Sequence, residues 1–318
     1  MEQSKLKVMF ITEKWCDGNP QRGLTNHYHN LFGTLASLDI AQIGIFHYDE
    51  YSYNSGKHAD EIIPSLVTQY DPAVVVMSHL GSDPMNPTKK SYEFIHNSGK
   101  KIVVIWPDTR DKILDTIKEM SSLVSLNVSW CFETDSLVVP NHMWLATPQD
   151  PRLYKCHNKK EFDVTFVGSL DGYTHRKNYL EYAISKRCPV IVSGGQRENA
   201  LSSEDYASII GKSKISINFA ESAVKGKFQL KGRVTETLAC GVFLLEQKND
   251  VTSRVLQSGV HYVEFENEQE LVEKINYYLK NDAEREKIAA AGLEFYKNNF
   301  TPAVFWNTIL KRIGVSND

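Results

Sequence analysis

Short, strongly apolar runs recur along this chain, each followed by a polar or glycine-bearing loop and then by a stretch with helical spacing. KVMFIT (Lys7–Thr12), AQIGIF (Ala41–Phe46), AVVVMS (Ala73–Ser78), KIVVIW (Lys101–Trp106) and NVSWCF (Asn127–Phe132) form a first series. Between them lie LTNHYHNLFGTLASL, EIIPSLVTQY, TKKSYEFIHNSG and RDKILDTIKEMSSL. Strands that are apolar on both faces and alternate with helices read as a parallel sheet covered on each side. The expectation is a doubly wound α/β fold.

The rhythm then breaks. NHMWLATPQDPRLYKCHNKKEFD holds Pro148 and Pro151, ends in charge and shows no clear period, so it reads as a linker. DVTFVG (Asp163–Gly168), PVIVSGG (Pro189–Gly195), KISINFA (Lys214–Ala220) and VFLLE (Val242–Glu246) restart the series, and HYVEF precedes the amphipathic stretch EQELVEKINYYLKN. A chain of 318 residues exceeds one ordinary core. Three segments are expected: residues 1–145, 146–300, and a last helix in 301–318. That helix carries Phe305, Ile309 and Ile313 at four-residue spacing. Two α/β domains in sequence favour a ligand cleft where the carboxyl ends of their sheets face each other.

Several function classes are disfavoured. The net charge of −3 gives no general attraction to nucleic acid or anionic membrane, and a DNA acceptor is disfavoured with it. Five scattered cysteines form no C-x-x-C pair and suit a reducing cytoplasm. No apolar stretch approaches the roughly 20 residues of a membrane helix, and the N-terminal apolar run reads as a strand and not as a signal peptide. No G-x-G-x-x-G occurs, which disfavours a nicotinamide enzyme. His27 and His29 lack a third ligand nearby, so no metal is expected.

The stretch KGRVTETLACGVFLLE (Lys231–Glu246) has two readings. Leu230, Val234 and Leu238 define a buried stripe, and Glu236 falls off it, three residues after Arg233. One reading is a solvated face with a surface ion pair of a few tenths of a kcal/mol. The other gives Arg233 to a phosphate and Glu236 to a cis-diol, because an ionised carboxylate accepts both hydroxyl protons of a ribose. From Ser208 to Thr235 six basic residues (Lys212, Lys214, Lys225, Lys227, Lys231, Arg233) stand against one acid, Glu221. That run follows a strand end and leads into a helix start, where free N–H groups favour anions.

GRVTETLACGVFLLE followed by EQELVEKINYYLKNDAEREKIAAAGLEFYKNNFT resembles the nucleotide-binding half of group 1 glycosyltransferases of the GT-B fold, nearest the branch related to spore maturation proteins. FDVTFVGSLDGYTHRKNYL resembles that branch's opening of the second domain. The likeness is specific over about Phe162 to Thr301, and only topological before that. It implies two Rossmann-like domains facing across a cleft, and transfer of a sugar from a nucleoside diphosphate sugar to a hydroxyl acceptor without metal or further cofactor. Gly168, Arg176, Lys231, Arg233 and Glu236 then hold the donor. Fixed positive charge and backbone donors would stabilise the leaving group in place of a metal.

The resemblance further implies that strand ends of the first domain face the acceptor side. His79 and Asp108 are the catalytic candidates there, with loop or helix capping as the alternative for each. Gly18, Arg22 and Gly23 in the first glycine loop, and Glu221, are candidates for donor or acceptor contacts. The final helix is expected to cross back to the first domain. One departure stands out. Where many relatives carry a glutamate eight positions before the ribose glutamate, this chain has Phe228. A sugar-nucleotide epimerase of the same fold and a non-catalytic nucleotide-sugar-binding protein remain the alternatives.

Overall fold

The structure is a computed structural model that describes residues 5–79, 83–107, 111–130, 139–170, 172–194, 201–221 and 226–315. It divides into two compact units, one of residues 1–148 with 302–318 and one of residues 149–301.

In the first unit β1 (Leu6–Thr12), β2 (Ala41–His47), β3 (Val74–Ser78), β4 (Lys101–Trp106), β5 (Leu126–Ser129) and β6 (His142–Trp144) form one sheet in the order β2-β1-β3-β4-β5-β6. Every pairing in it is parallel. Alternation along the strands sends Met9 and Ile11 to one core layer and Val8 and Phe10 to the other. β3 is buried along its whole length, as a strand covered on both faces must be. The final helix, Pro302–Arg312, closes the second layer. Phe305, Trp306 and Ile309 are buried among the β1, β3 and β4 side chains, and Trp306 stands edge-on to Phe10 with ring centroids 5.8 Å apart. The Trp306 Nε1–H donates to Thr34 Oγ1 at 2.9 Å, which satisfies the polar end of a fully buried indole.

The second unit repeats the plan. β7 (Phe162–Val167), β8 (Val190–Ser193), β9 (Ser213–Asn218), β10 (Phe243–Gln247) and β11 (Val263–Phe265) are all parallel, in the order β8-β7-β9-β10-β11. Both sheets therefore start with the second strand beside the first and reverse direction between the first and third. A crevice forms outside the carboxyl ends of the strands at such a reversal.

The sequence reading needs several adjustments, among them the unread helices Ser203–Gly211 and Asp250–Ser253. β6 lies inside the stretch read as linker, since a three-residue strand is too short to show a period. A helix at Tyr48–Ser55 goes unread because it is polar nearly all round. The stretch LTNHYHNLFGTLASL begins as a π-helical turn, Tyr28–Gly33, before α-helix at Thr34–Ala36. Among the described residues no helix is long and apolar enough to cross a membrane.

Candidate functional site: an arginine-lined strand reversal

In the second unit the reversal lies between β7 and β9, and the residues at their carboxyl ends are Gly168 and Asn218. The helix Gly232–Ala239 starts beside them. It ends on a glycine for a geometric reason: Gly241 has φ +60°, its N–H bonds to Leu238 O at 3.0 Å, and the Val242 N–H bonds to Thr237 O at 3.2 Å. That pair of bonds ties off the last carbonyls and aims the chain into β10. Leu230, Val234 and Leu238 are buried, as their spacing predicts.

The solvated-face reading fails on this helix. Glu236 is 5% exposed, and the Arg233 hydrogen bond does not go to it. Instead Arg233 reaches the strand ends. Its Nη1 donates to Asn218 Oδ1 at 2.7 Å, and its guanidinium lies 4.9 Å from the centroid of the Phe166 ring in β7. Its Nη2 fills the space over Gly168, whose φ is +155°, so a Cβ there would collide with the guanidinium. The backbone favours glycine at this point, and any side chain there would displace the guanidinium. Asn218 Nδ2 in turn donates to Glu246 Oε2 at 2.8 Å in β10.

A second guanidinium converges on the same place. Arg176, in the first turn of the helix Thr174–Ser185, is buried and lies 3.5 Å from the Tyr173 ring centroid. It donates to Ser169 O at 3.3 Å and to Glu221 O at 3.0 Å, linking the loops after β7 and β9. Burial, and then the charge of Arg233, bring its pKa down to about 10. Arg233 is subject to the same burial, but Tyr206 and Glu236 outweigh it and hold its pKa up. The Nε atoms of Arg176 and Arg233 are both buried without a hydrogen-bond partner. Among the described residues neither guanidinium forms a salt bridge, although the charges of Glu236 and Glu246 act on Arg233 from farther off, and each Nε keeps an unmet donor.

On the other side of Arg233, Tyr206 donates to Glu236 Oε2 at 2.8 Å. Burial raises the Glu236 pKa, while Arg233 and bonds from Tyr206 and Tyr154 pull it the other way. The second oxygen, Oε1, stands over Gly232, where a Cβ would come within 3.2 Å. Burial also raises Glu246, to about 7, against hydrogen bonds from Asn218 and Thr252. Lys231 takes the N-cap position without a side-chain cap, and its Nζ donates to Gln229 Oε1 at 2.6 Å.

The basic run divides in space. Lys212 and Lys214 lie at the amino end of β9, paired to Glu161 at 3.3 Å and Asp163 at 2.6 Å, so they are absent from this site. Lys225 falls outside the described residues. Glu221 and Phe228 form an antiparallel bridge, which sets the one carboxylate of the run beside the phenylalanine that departs from the family pattern. Glu221 Oε1 accepts the Gly226 N–H at 2.6 Å, and His175 Nε2 lies 3.4 Å from Oε2.

In the first unit the equivalent reversal lies between β1 and β3. His79 follows β3 and is 5% exposed. Its Nε2 contacts the Tyr92 hydroxyl at 2.5 Å, its ring stacks on Trp106 at 5.1 Å, and burial takes its pKa down to about 4. Asp108 lies outside the described residues. Gly18 (φ +65°) and Gly23 (φ +75°) shape a loop closed by a bridge between Trp15 and Leu24, and Arg22 pairs with Asp17 at its surface. Lys14 N and Trp15 N both donate to the fully buried Asp49 carboxylate, at 2.8 and 2.9 Å, which fixes the loop's base. The sequence reading passed over Glu13, Tyr206, Asn218 and Glu246. Three of these sit in or next to the last residue of a strand, where the rule for ligand crevices would have found them.

A family model described as glycosyl transferase-like matches residues 152–311. No curated protein matches the chain by sequence. Among solved structures, HepE of Anabaena in complex with UDP aligns with a TM-score of 0.63 at 10% identity, covering 98% of this chain and 100% of that one. A glycosyltransferase from Rickettsia africae aligns at 0.63 with 11% identity, covering 99% and 100%. HepE in complex with UDP-glucose aligns at 0.58 with 12% identity, covering 97% and 98%.

Proposed function

The chain belongs to the glycosyl transferase-like family, and from that premise we propose that it moves a sugar from a nucleoside diphosphate sugar, held in the second unit, to a hydroxyl acceptor. It is a glycosyltransferase with two parallel α/β sheets. The observation that carries the donor assignment is the pair of guanidiniums, Arg176 and Arg233, at the β7/β9 reversal with both Nε atoms unsatisfied. A diphosphate supplies the missing acceptors, and the N-terminal amides of the helix Gly232–Ala239 add backbone donors aimed at the same charge.

In this reading Lys231 adds a further cation and Glu236, oriented by Tyr206, accepts from the ribose hydroxyls. Gly168 lets Arg233 lie against the strand end. As the bond between the sugar and the β-phosphate breaks, charge grows on the phosphate oxygen. Arginines already fixed in place stabilise it without reorganising. This fixed positive charge is the ground for proposing transfer with neither metal nor cofactor. The same reading places the enzyme in the cytoplasm, where nucleotide sugars serve as donors and four described cysteines stay free. UDP is the first base to try, since HepE was solved with UDP and UDP-glucose.

The test is a melting-temperature panel of UDP, GDP, ADP, CDP and dTDP in EDTA. A bound diphosphate at about 100 times its Kd stabilises the fold by about 2.7 kcal/mol. No shift with any of the five removes the proposal. Donor consumption with and without added acceptors then separates transfer from epimerisation, and both from binding alone.

A further inference from the structure

A chain of buried side chains links the anion site of the second unit to the middle of its own sheet. Glu246, one residue before the end of β10, lies opposite Asn218, the last residue of β9, and both are fully buried. Glu246 Oε2 accepts from Asn218 Nδ2 at 2.8 Å, and Asn218 Oδ1 accepts from Arg233 Nη1 at 2.7 Å. A guanidinium only donates and an ionised carboxylate only accepts, so one orientation of the amide serves both. Glu246 Oε1 lies 3.4 Å from Asn249 Nδ2 and from Thr252 Oγ1. Asn249 Oδ1 accepts from the Thr252 N–H at 2.7 Å, which holds that end of the network in place. A carboxylate paired directly to Arg233 would cancel the charge that the site offers an anion. Placed one amide away, it orients the guanidinium and leaves it open to another acceptor.

We propose that Glu246 is a positioning residue for donor binding: through Asn218 it holds Arg233 at the strand end, and its protonation state sets how tightly the second unit grips the diphosphate. The inference rests on the donor reading above and adds to it a residue that acts through another.

The groups facing Glu246 come from every element around it. Arg233 and Lys231 stand at the start of the helix Gly232–Ala239, and Arg176 lies in the helix Thr174–Ser185. Glu264 is its partner in register on β11, and the Tyr262 hydroxyl donates to Glu264 at 2.8 Å. Burial outweighs the two nearer cations and the hydrogen bonds from Asn218 and Thr252, and brings the Glu246 pKa up to about 7. Around neutral pH the network therefore exists in two charge states. A diphosphate adds negative charge beside Arg233, and a proton on Glu246 removes one. Binding takes up a proton at Glu246, and by the same linkage a fall in pH tightens binding. His175 is another titrating group near the two arginines. Burial above all holds its pKa below the usual 6.5, with Arg176 and Lys231 pushing the same way and Glu221 against them.

The test is calorimetric titration of UDP-glucose, whose phosphates lack the free end that titrates near pH 6 and so keep their charge from pH 6 to 8. The wild-type Kd is expected to fall about fivefold or more from pH 8 to pH 6, with net proton uptake when buffers of different ionisation enthalpy are compared. Glu246→Gln is expected to show no slope and to match the wild type's pH 6 affinity, because glutamine keeps an acceptor for Asn218 and has no proton to gain. Asn218→Ala is expected to bind about tenfold more weakly throughout. His175→Asn is expected to keep the wild-type slope, which decides the question even where Glu246→Gln does not fold. A wild-type affinity independent of pH, a slope that survives in Glu246→Gln, a slope lost in His175→Asn, or unchanged affinity in Asn218→Ala overturns the proposal and leaves the donor reading standing. Absence of UDP-glucose binding at every pH fails the donor reading instead.

Discussion

Two strand reversals of identical topology carry different chemistry. At the carboxyl ends of β1 and β3 the first unit places a buried carboxylate, two imidazoles with depressed pKa values, and hydroxyls from Ser78 and Tyr48. At the carboxyl ends of β7 and β9 the second unit places a glycine, an asparagine and two guanidiniums. The backbone supplies the same crevice in each unit. The side chains at the strand ends make one a buried carboxylate among hydroxyls and imidazoles and the other a pair of guanidiniums. Fold leaves function open at each crevice, and the residue just past each strand decides it.

The largest effect should separate the units by stability. All five tryptophans (Trp15, Trp106, Trp130, Trp144 and Trp306) belong to the first unit, so their fluorescence reports on it and UDP binding reports on the second. Trp306→Ala removes a fully buried indole and leaves Thr34 Oγ1 without that donor, which should cost about 3–5 kcal/mol in urea unfolding followed by tryptophan fluorescence. The UDP affinity should not change. A loss of UDP binding under conditions where the first unit remains folded would break the division.

Next comes a pair of opposite pH slopes. His27 and His79 fall from 6.5 to about 4 in the folded first unit. Their folded pKa values lie below the unfolded ones, so this stability is complete above pH 6.5 and is lost as pH falls through 4. Each contributes at most about 3 kcal/mol. Glu246 rises from 4.5 to about 7 in the second unit, so its contribution is complete below pH 4.5 and is lost as pH rises through 7. Unfolding midpoints of the first unit should fall on acidification from pH 7 to 4. Hydrogen-exchange protection of β9 and β10, corrected for intrinsic rates, should weaken from pH 5 to 8. Parallel slopes in the two units would contradict the assignment of these groups.

A smaller effect sharpens the anion site. Gly168→Ala puts a Cβ where Arg233 Nη2 lies, at a φ that disfavours any side chain, so Arg233 must leave the strand end. Loss of one charged hydrogen bond is about 1.5–3 kcal/mol, or roughly tenfold to a hundredfold in UDP affinity by calorimetry. Glu236→Gln should fall at the low end of that range, and its loss should shrink with 2′-deoxy-UDP, which offers one hydroxyl fewer. Unchanged affinity in Gly168→Ala would mean that the guanidinium over that glycine does not touch the diphosphate.

How far the sequence could be read depended on the range of the signal. Apolar runs identified ten strands, because most are buried on both faces and the pattern needs no partner to be seen; the edge strands β2 and β8 are only half-buried but keep the apolar run. β6, with three half-buried residues, had no such pattern. The helix Gly232–Ala239 was placed from its stripe and its terminal glycine, and Arg233 and Glu236 from their spacing. The charge count misled, because counting along the chain joined Lys212 and Lys214 to Arg233 although the length of β9 lies between them. Glu13 went unread because what distinguishes it is contact with Ser78, Tyr48 and His27, residues 14 to 65 positions away.

Calorimetric titration of UDP into the wild type, Arg233→Ala and Glu13→Gln, side by side, tests the division most directly. Arg233→Ala should bind UDP tenfold to a hundredfold more weakly, because it removes a charged donor from the second unit's reversal. Glu13→Gln should bind it as the wild type does, because its carboxylate serves the first unit's imidazole. Unchanged affinity in Arg233→Ala, or a loss of similar size in Glu13→Gln, would contradict the account.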